Sequence, residues 1–419
     1  MPRPPLRCWW GDLHVAEFTR KQPWDLRCQY TELALDRWPT NTPLISCSLP
    51  VQRRTQNASA FLRGLLPEGG HLQALAALAG VATNDTYGLL ARYGRDVAGA
   101  LTINDNDEPP DPTRWDVEPY TAESLAAEIA GLDDHPLGVR ADSELSIAGL
   151  QDKILLVDLG DGRWGRPIHG HPSTHILKVD DLRYPGIVEA EAQCLRLAQR
   201  LGLSTLDPIT MTFGGQACLI VRRYDRTVVG DTIARIHQED ACQALGIDPQ
   251  DQRGRAKYED AGGPSLAQIA GLLKDHSEHR EQQLALLTRV VTFTCVIGGA
   301  DAHGKNLSLL HEPNGRISLA PLYDTVPTGL WPNLRTDAAM AVNGKRDFGL
   351  ITLHDIATEA SQWGLPYETA LTTAAELCEH IKVGIADVVS HEAIATRLAI
   401  GVDRLLDGDP EHHGGSPPA

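Results

Sequence analysis

From about residue 145 the chain carries short apolar runs separated by turn residues. KILLVDLGDGRWG opens with an unbroken apolar run and ends in a Gly-Asp-Gly turn, and THILKV and QACLIVRRYD are two more such runs. Runs of this length, bounded by turn signals, predict strands. Between the second and third lies PGIVEAEAQCLRLAQRLGL, where Ile187, Ala190, Cys194, Leu195, Ala198 and Leu201 fall at helical spacing. Pro185 stands at its start and Gly202 just beyond its end, as an amphipathic helix prefers. Thr121 can cap an earlier helix whose stripe is Leu125, Ile129 and Leu132. QLALLTRVVTFTCVIGG is apolar almost all round and predicts a buried helix stopped by Gly298 and Gly299. LSLLHEPNGRISLAPLYD then reads as strand, Asn314-Gly315 turn, strand. Nearer the start, LISCSLPVQ predicts a short strand, and NASAFLRGLLPEGGHLQALAALAGV predicts helices broken at Pro67 and Gly69. NDNDEPPDP, residues 104–112, has no apolar anchor and reads as a linker or exposed loop. Apart from the hairpin near 307–323, the chain after about residue 236 reads as mostly helical. A strand-rich part followed by a helix-rich part implies an α+β chain of two lobes with a cleft between them.

The densest chemistry lies in IGGADAHGKNLSLLH. Asp301 and Asn306 are five apart, the separation of a protein-kinase catalytic loop, in which the Asp accepts the substrate hydroxyl proton and the Asn holds magnesium. The following hairpin delivers Asp324, a second candidate metal ligand, eighteen residues after Asn306. The plainer reading is an Asp301–Lys305 ion pair in a turn, with Asn306 capping a strand. The buried helix, the hairpin and the second Asp together favour catalysis. His303 suits either loop orientation, phosphate contact or a structural hydrogen bond. Upstream, Lys178 ends the strand HILK and Glu191 follows thirteen residues later on the next helix. A strand Lys paired with a helix Glu places a cation on ATP phosphates; alone, Lys178 reads better as a solvated strand end. The loop SIAGLQDK, residues 146–153, offers Ser146, Gly149 and Lys153 before the first strand, but with one Gly it is no Walker motif. VRRYDR falls where a hinge between lobes belongs, with backbone groups of Arg222, Arg223 and Tyr224 available to an adenine edge.

Composition narrows the classes. The chain has 419 residues, 42% of them hydrophobic and 22% charged, as a soluble globular protein of two or three domains has. A net charge of −17 argues against nucleic-acid binding through bulk electrostatics and suits a basic partner, or ATP with its magnesium. The eight cysteines are widely spaced with no CxxC, which favours buried free thiols over disulfides or a zinc knuckle. The longest apolar stretch, 284–297, is interrupted by Thr288 and Arg289 and is too short for a bilayer. MPRPPLRCWWGDLH has no basic region followed by an apolar run, so no signal peptide and a cytoplasmic location are expected. The polar tail DGDPEHHGGSPPA is expected to be disordered, its two His incidental.

LSIAGLQDKILLV, THILK, VRRYDR, RIHQEDACQALG, GGPS, DAHGKNLSLL and APLYD occur in the order and spacing of the HipA family. SCSLP, FLRGLLPEG and YGRDVAGAL are similar to that family's N-terminal subdomain, so the resemblance spans about residues 8–385. The family comprises bacterial serine/threonine kinases that act as toxins of type II toxin–antitoxin modules. The resemblance implies a two-lobed protein-kinase-like fold: an N-terminal subdomain over 1–105, a linker and helix over 106–144, a strand-rich nucleotide part over 145–235, a helical catalytic lobe over 236–405 and a disordered tail over 406–419. It implies Asp301 as catalytic base, Asn306 and Asp324 as Mg2+ ligands, and Lys178, paired with Glu191, as the ATP phosphate anchor. Ala148, Gly149, Leu150, Gln151, Asp152 and Lys153 would form the flexible nucleotide loop, and Arg222, Arg223 and Tyr224 the hinge. His303, Lys305 and Tyr323 are placed with the nucleotide site, and Ser146 aligns with the serine that such kinases autophosphorylate. A phosphate there would repel ATP's own phosphates and favour an ejected loop. Two positions depart from the pattern: Gly299 stands where the family usually has Asn, and Arg222 where it often has Glu. The implied substrate is an aminoacyl-tRNA synthetase, and the implied partner a HipB-type helix-turn-helix antitoxin through which alone the chain would meet DNA. A small-molecule kinase of the aminoglycoside-phosphotransferase type and a non-catalytic co-repressor are the other readings. The retained Asp301, Asn306, Asp324 and Lys178 speak against the latter.

Overall fold

The computed structural model describes residues 3–132, 152–230 and 232–408. Ser146, Ala148, Gly149, Leu150 and Gln151, and the tail from residue 409, lie outside the described residues. The first structural unit is an antiparallel sheet that the apolar pattern did not announce. Its strands are β1 (Leu6–Trp10), β2 (Leu13–Gln22), β3 (Asp25–Tyr30), β4 (Gln56–Asn57) and β5 (Leu101–Asn104), in the order β4-β3-β2-β1-β5. Register shifts within both the β1–β2 and β2–β3 pairs break the strict alternation that would have marked them. LISCSLPVQ, by contrast, is not a strand. It is a tight loop whose only ladder contact is the Ser46–Leu49 bridge, because Pro43 and Pro50 bracket it without amide protons. Helices Ser59–Gly64 and Gly69–Ala79 flank the expected break at Pro67.

The second sheet has six strands: β6 (Asp116–Pro119), β7 (Lys153–Asp158), β8 (Trp164–Ile168), β9 (His175–Val179), β10 (Ile209–Phe213) and β11 (Gln216–Arg222). Their order is β10-β11-β9-β7-β8-β6. The three central strands are the three apolar runs of the sequence, and their middles carry apolar residues on both sides because both faces are covered. Ile154, Leu156, Leu177 and Ile220 face helix Ala122–Ala130 through Leu125 and Ile129, while Leu155 joins the core of the first sheet. Leu219 and Val221 pack on helix Ile187–Arg200 through Val188, Ala192 and Leu195. The strands missed in the sequence, β6, β8 and β10, are peripheral; four of the five β10 residues are exposed, so no apolar run marks it. The alternation of side chains has one functional consequence: Lys153 and Lys178 are direct partners across the β7–β9 ladder and stand on the same face.

Beyond a small hairpin, β12 (Arg226–Val229) with β13 (Thr232–Arg235), the chain enters the helical lobe. Residues 237–240 were expected to be helical but form a strand, β14 (His237–Asp240), which completes a sheet with β15 (Ser308–His311) and β16 (Ile317–Leu319). All four β14 residues are buried although all four are polar, so no periodicity could reveal it. Helix Arg280–Ile297 runs through the middle of the lobe's core and ends at Gly298 in the left-handed conformation, φ 66°. Helix Glu392–Asp407 crosses it so closely that a Cβ on Gly401 would stand 2.0 Å from the Val296 carbonyl oxygen. That helix continues through Asp407, past the expected start of the tail at 406. All eight cysteines are free. Among the described residues no helix is long and apolar enough to cross a membrane.

Candidate active site

Helix Arg280–Ile297 delivers the loop carrying Asp301 and Asn306, and the return strand β16 delivers Asp324. Asp301, Asn306 and Asp324 line one narrow cavity of about 40 Å3 that also touches Gly299 and Thr325. The Asp301 carboxylate is exposed, and Asn306 donates from Nδ2 to the Asp301 backbone carbonyl at 2.8 Å. The loop is therefore braced by Asn306 without involving the Asp301 carboxylate. Asp324 adopts φ 51°, a left-handed conformation that Asp tolerates better than most non-glycine residues.

Across the cleft, Lys178 donates to Glu191 Oε1 at 2.6 Å and also to Asp324 Oδ1. Burial by itself would lower the Lys178 pKa, but Asp324 and Glu191 outweigh it and hold the ammonium above its usual range. Its neighbour Lys153 goes the other way: burial and the adjacent Lys178 bring it down to about 8. The Asp324 carboxyl is pushed up by burial, yet Lys178 and Lys153 hold it below its ordinary value. Two buried cations thus meet at Asp324, which lines the cavity that also holds Asp301. An arriving polyanion would find two positive charges there, and its approach would favour the protonated form of Lys153.

The structure uses the remaining expected residues differently. Lys305 is buried and donates to Asp240 Oδ2 at 3.1 Å and to the Gly64 carbonyl at 3.2 Å. It is neither the Asp301 partner of the plainer reading nor presented to a nucleotide, because its charge is consumed inside the protein. Tyr323 donates to the Lys305 carbonyl at 2.7 Å and stacks on Tyr224. The Arg223 side chain likewise turns inward, bound to Asp225 and Ser173, and its backbone N–H donates to the Thr174 carbonyl. The Arg223 side chain and backbone N–H are thereby engaged within the protein. Arg222 is exposed, and the Tyr224 hydroxyl donates to Gln238. His303 is buried 3.8 Å from Asp301; burial first, then nearby Lys257, lowers its pKa despite Asp301, which favours a neutral ring. Asp152 contacts His71 of the N-terminal part at 2.9 Å.

Three site features had no local signal in the sequence. Tyr258, 43 residues from Asp301, donates its hydroxyl to Asp301 Oδ1 at 2.6 Å, its ring edge-on to His303 and under the Arg335 guanidinium. That contact occupies one carboxylate oxygen and orients the other. Tyr258→Phe is expected to lower turnover at this site about tenfold, the worth of one hydrogen bond to a charged group, while leaving the substrate KM unchanged. A KM change with constant turnover would refute this role. Thr328 accepts from Ala300 N–H and donates to the Gly298 carbonyl, both at 3.0 Å, so the loop beside Gly299 is tied down without an Asn. Glu68, from FLRGLLPEG, accepts from Lys257 at 3.0 Å and lies 3.9 Å from Lys305.

Residues 145–385 match the HipA-like C-terminal domain and residues 6–104 the HipA N-terminal domain. Y4mE of Sinorhizobium fredii, provisionally named a kinase, is 36% identical over 355 residues, covering 81% of each chain. The serine/threonine-protein kinase toxin HipA of Shewanella oneidensis is 27% identical over 392 residues, 90% of this chain and 88% of that one. A solved structure of HipA from Shewanella oneidensis MR-1, in complex with HipB and its operator DNA, superposes with a TM-score of 0.79 at 25% identity, covering 96% of both chains. With both domains matched in order and the whole fold shared, the chain belongs to the HipA family of kinases.

Proposed function

We propose that this chain is an ATP- and Mg2+-dependent serine/threonine protein kinase, and the toxin of a toxin–antitoxin pair. The observation that carries the reading is the Lys178–Glu191 pair at 2.6 Å, joined through Lys178 to Asp324 on the cavity that also holds Asp301 and Asn306. Hard oxygen donors from Asn306 and Asp324 fit magnesium, which when bound neutralises charge on the transferring phosphoryl group. Lys178 and Lys153 bind and orient the phosphates, and Glu191 keeps Lys178 in place. Asp301 accepts the proton of the substrate hydroxyl as its oxygen takes the γ-phosphoryl group and ADP leaves. Nucleotide contact then falls to residues 148–153 and to the Arg222 and Tyr224 stretch of the hinge.

The likeness to a HipA solved with HipB and operator DNA supports a helix-turn-helix antitoxin as partner, with DNA met only through it. The net charge of −17 suits docking to a basic DNA-binding protein. By the same family likeness the substrate is an aminoacyl-tRNA synthetase, and Ser146 is the site of silencing autophosphorylation. Labelled ATP and Mg2+ test the reading. Wild type should label itself and a susceptible synthetase, Asp324→Asn should label neither, and Ser146→Ala should label only the synthetase. No transfer by wild type to itself or to any synthetase would overturn it.

A further inference from the structure

Outside the kinase cleft, Cys47, Glu239 and His311 bring a thiol, a carboxylate and an imidazole to one point, their ligand atoms all within 4.8 Å of one another. Glu239 and His311 are completely buried, while Cys47 is half-buried. The three come from different places: Cys47 from the Pro-bracketed loop of the N-terminal part, Glu239 from β14 and His311 from β15. His311 Nδ1 lies 2.9 Å from the Pro43 carbonyl, which can only accept, so this nitrogen carries the proton. Its Nε2 then points at Glu239 Oε1, 2.9 Å away, an oxygen that also accepts from the Cys47 backbone N–H at 2.8 Å. Two lone pairs at that distance require a positive charge between them.

A second observation points to an ion. The other carboxylate oxygen, Glu239 Oε2, is buried and makes no hydrogen bond among the described residues. The neighbouring Ser46 hydroxyl hydrogen-bonds Ser48 and the Gln243 carbonyl and also lies against the Glu239 carboxylate. A histidine that gives its far N–H to a backbone carbonyl while aiming its near nitrogen at a shared point has the arrangement of a metal ligand with its orienting partner.

We propose that Cys47, Glu239 and His311 bind a zinc ion. Thiolate, imidazole and carboxylate together are a donor set that zinc accepts and that magnesium or calcium does not favour. Three protein ligands leave a fourth position for water, on the side where half-buried Cys47 gives access from solvent. Binding converts the Cys47 thiol to thiolate and releases its proton to solvent, so affinity rises with pH. The ion would fasten the N-terminal loop to the two strands beside the catalytic loop, since Asp240, next to Glu239, holds Lys305. This proposal is independent of the phosphoryl-transfer reading.

The test uses the full chain, stripped with chelator and titrated with Zn2+ against a competing chromophoric chelator, then with Co2+. The expected result is a single tight equivalent, a higher melting temperature with Zn2+, and a sulfur-to-cobalt charge-transfer band. Cobalt at Asn306 and Asp324 meets only oxygen donors and cannot produce that band. Cys47→Ser, which keeps the shape of the loop, should abolish the band and weaken Zn2+ binding at least tenfold while circular dichroism is unchanged. His311→Gln should do the same if it folds. Absence of tight Zn2+ binding in wild type would overturn the proposal and leave a proton as the charge between Glu239 and His311. Tight binding that survives Cys47→Ser unchanged would overturn it too.

Discussion

Asp96→Ala is expected to destabilise the protein by about 3–5 kcal/mol, the cost of stranding buried partners of a removed charge. Asp96 sits in YGRDVAGAL and is fully buried. It accepts from Arg226 at 2.9 Å and from the Ser173 N–H and hydroxyl at 3.0 and 2.7 Å, with Arg223 and Arg235 at 3.7 and 3.8 Å. Asp225 is the second anion, bound by Arg223 at 2.7 Å and Arg226 at 2.9 Å. Three arginines therefore share two carboxylates, and without Asp96 they would share one. The cluster joins the N-terminal part to the hinge, so its loss should loosen both. Arg235→Gln should cost clearly less, because burial has already brought that guanidinium down to about 10 and the other two arginines stay paired. Burial works to raise the Asp225 carboxyl, but Arg223 and Arg226 outweigh it and hold it at about 2; Asp96 is depressed likewise. Their contribution is complete above the ordinary Asp value of about 4 and fades as pH falls through the folded values. Urea titrations of both variants at neutral pH and at acid pH measure this. The gap between wild type and Asp96→Ala should narrow on acidification, and equal stability at neutral pH would show that the cluster is not structural.

The second large effect is on chemistry. Asp301→Asn is expected to lower the turnover of phosphoryl transfer by about 10²–10⁴, the range for a general base, with folding and ATP affinity retained. The separation is possible because the Asp301 carboxylate is exposed and the loop is held by other atoms. Asn306 grips the Asp301 backbone carbonyl, and Thr328 ties Gly298 and Ala300. Asp324→Asn should behave differently and weaken nucleotide binding, because Asp324 is in contact with Lys178. Single-turnover transfer and equilibrium binding of an ATP analogue, measured on both variants, distinguish the two. Turnover of Asp301→Asn within a few-fold of wild type would remove Asp301 from the role of base.

Those two variants also mark how far the sequence could be read. The D-x4-N spacing, the apolar helix before it and the Asn314-Gly315 hairpin are local patterns, so the elements that bring Asp301, Asn306 and Asp324 to one cavity were recognisable before any fold was known. Lys178 and Glu191 were nearly as legible, since strand alternation and helix phase each bring one of them inward. Lys305 was misjudged because its partners, Gly64 and Asp240, are 241 and 65 residues away. The inward turn of Arg223 follows from Asp225 nearby and Ser173 at a distance, and only the latter's position in the fold makes the site a buried one. Tyr258 gave no warning, being an ordinary aromatic in a polar loop until the chain returns it to Asp301.

What the sequence by itself determined are the features encoded by neighbours along the chain: the central strands, the amphipathic and buried helices, the Asp301–Asn306 loop and the hairpin that returns Asp324 to it. Hydrophobic periodicity and turn chemistry act over a few residues, and one sequence displays them directly. Tertiary structure alone decided which polar residues are spent on architecture and which remain available for chemistry. It buried the all-polar strand His237–Asp240, matched Asp96 to arginines more than a hundred residues away, and left Asp301 exposed beside a buried His303. The physical reason is that a charge removed from water must find its partner wherever the fold supplies one. That choice depends on distances in space, which spacing along the chain does not record.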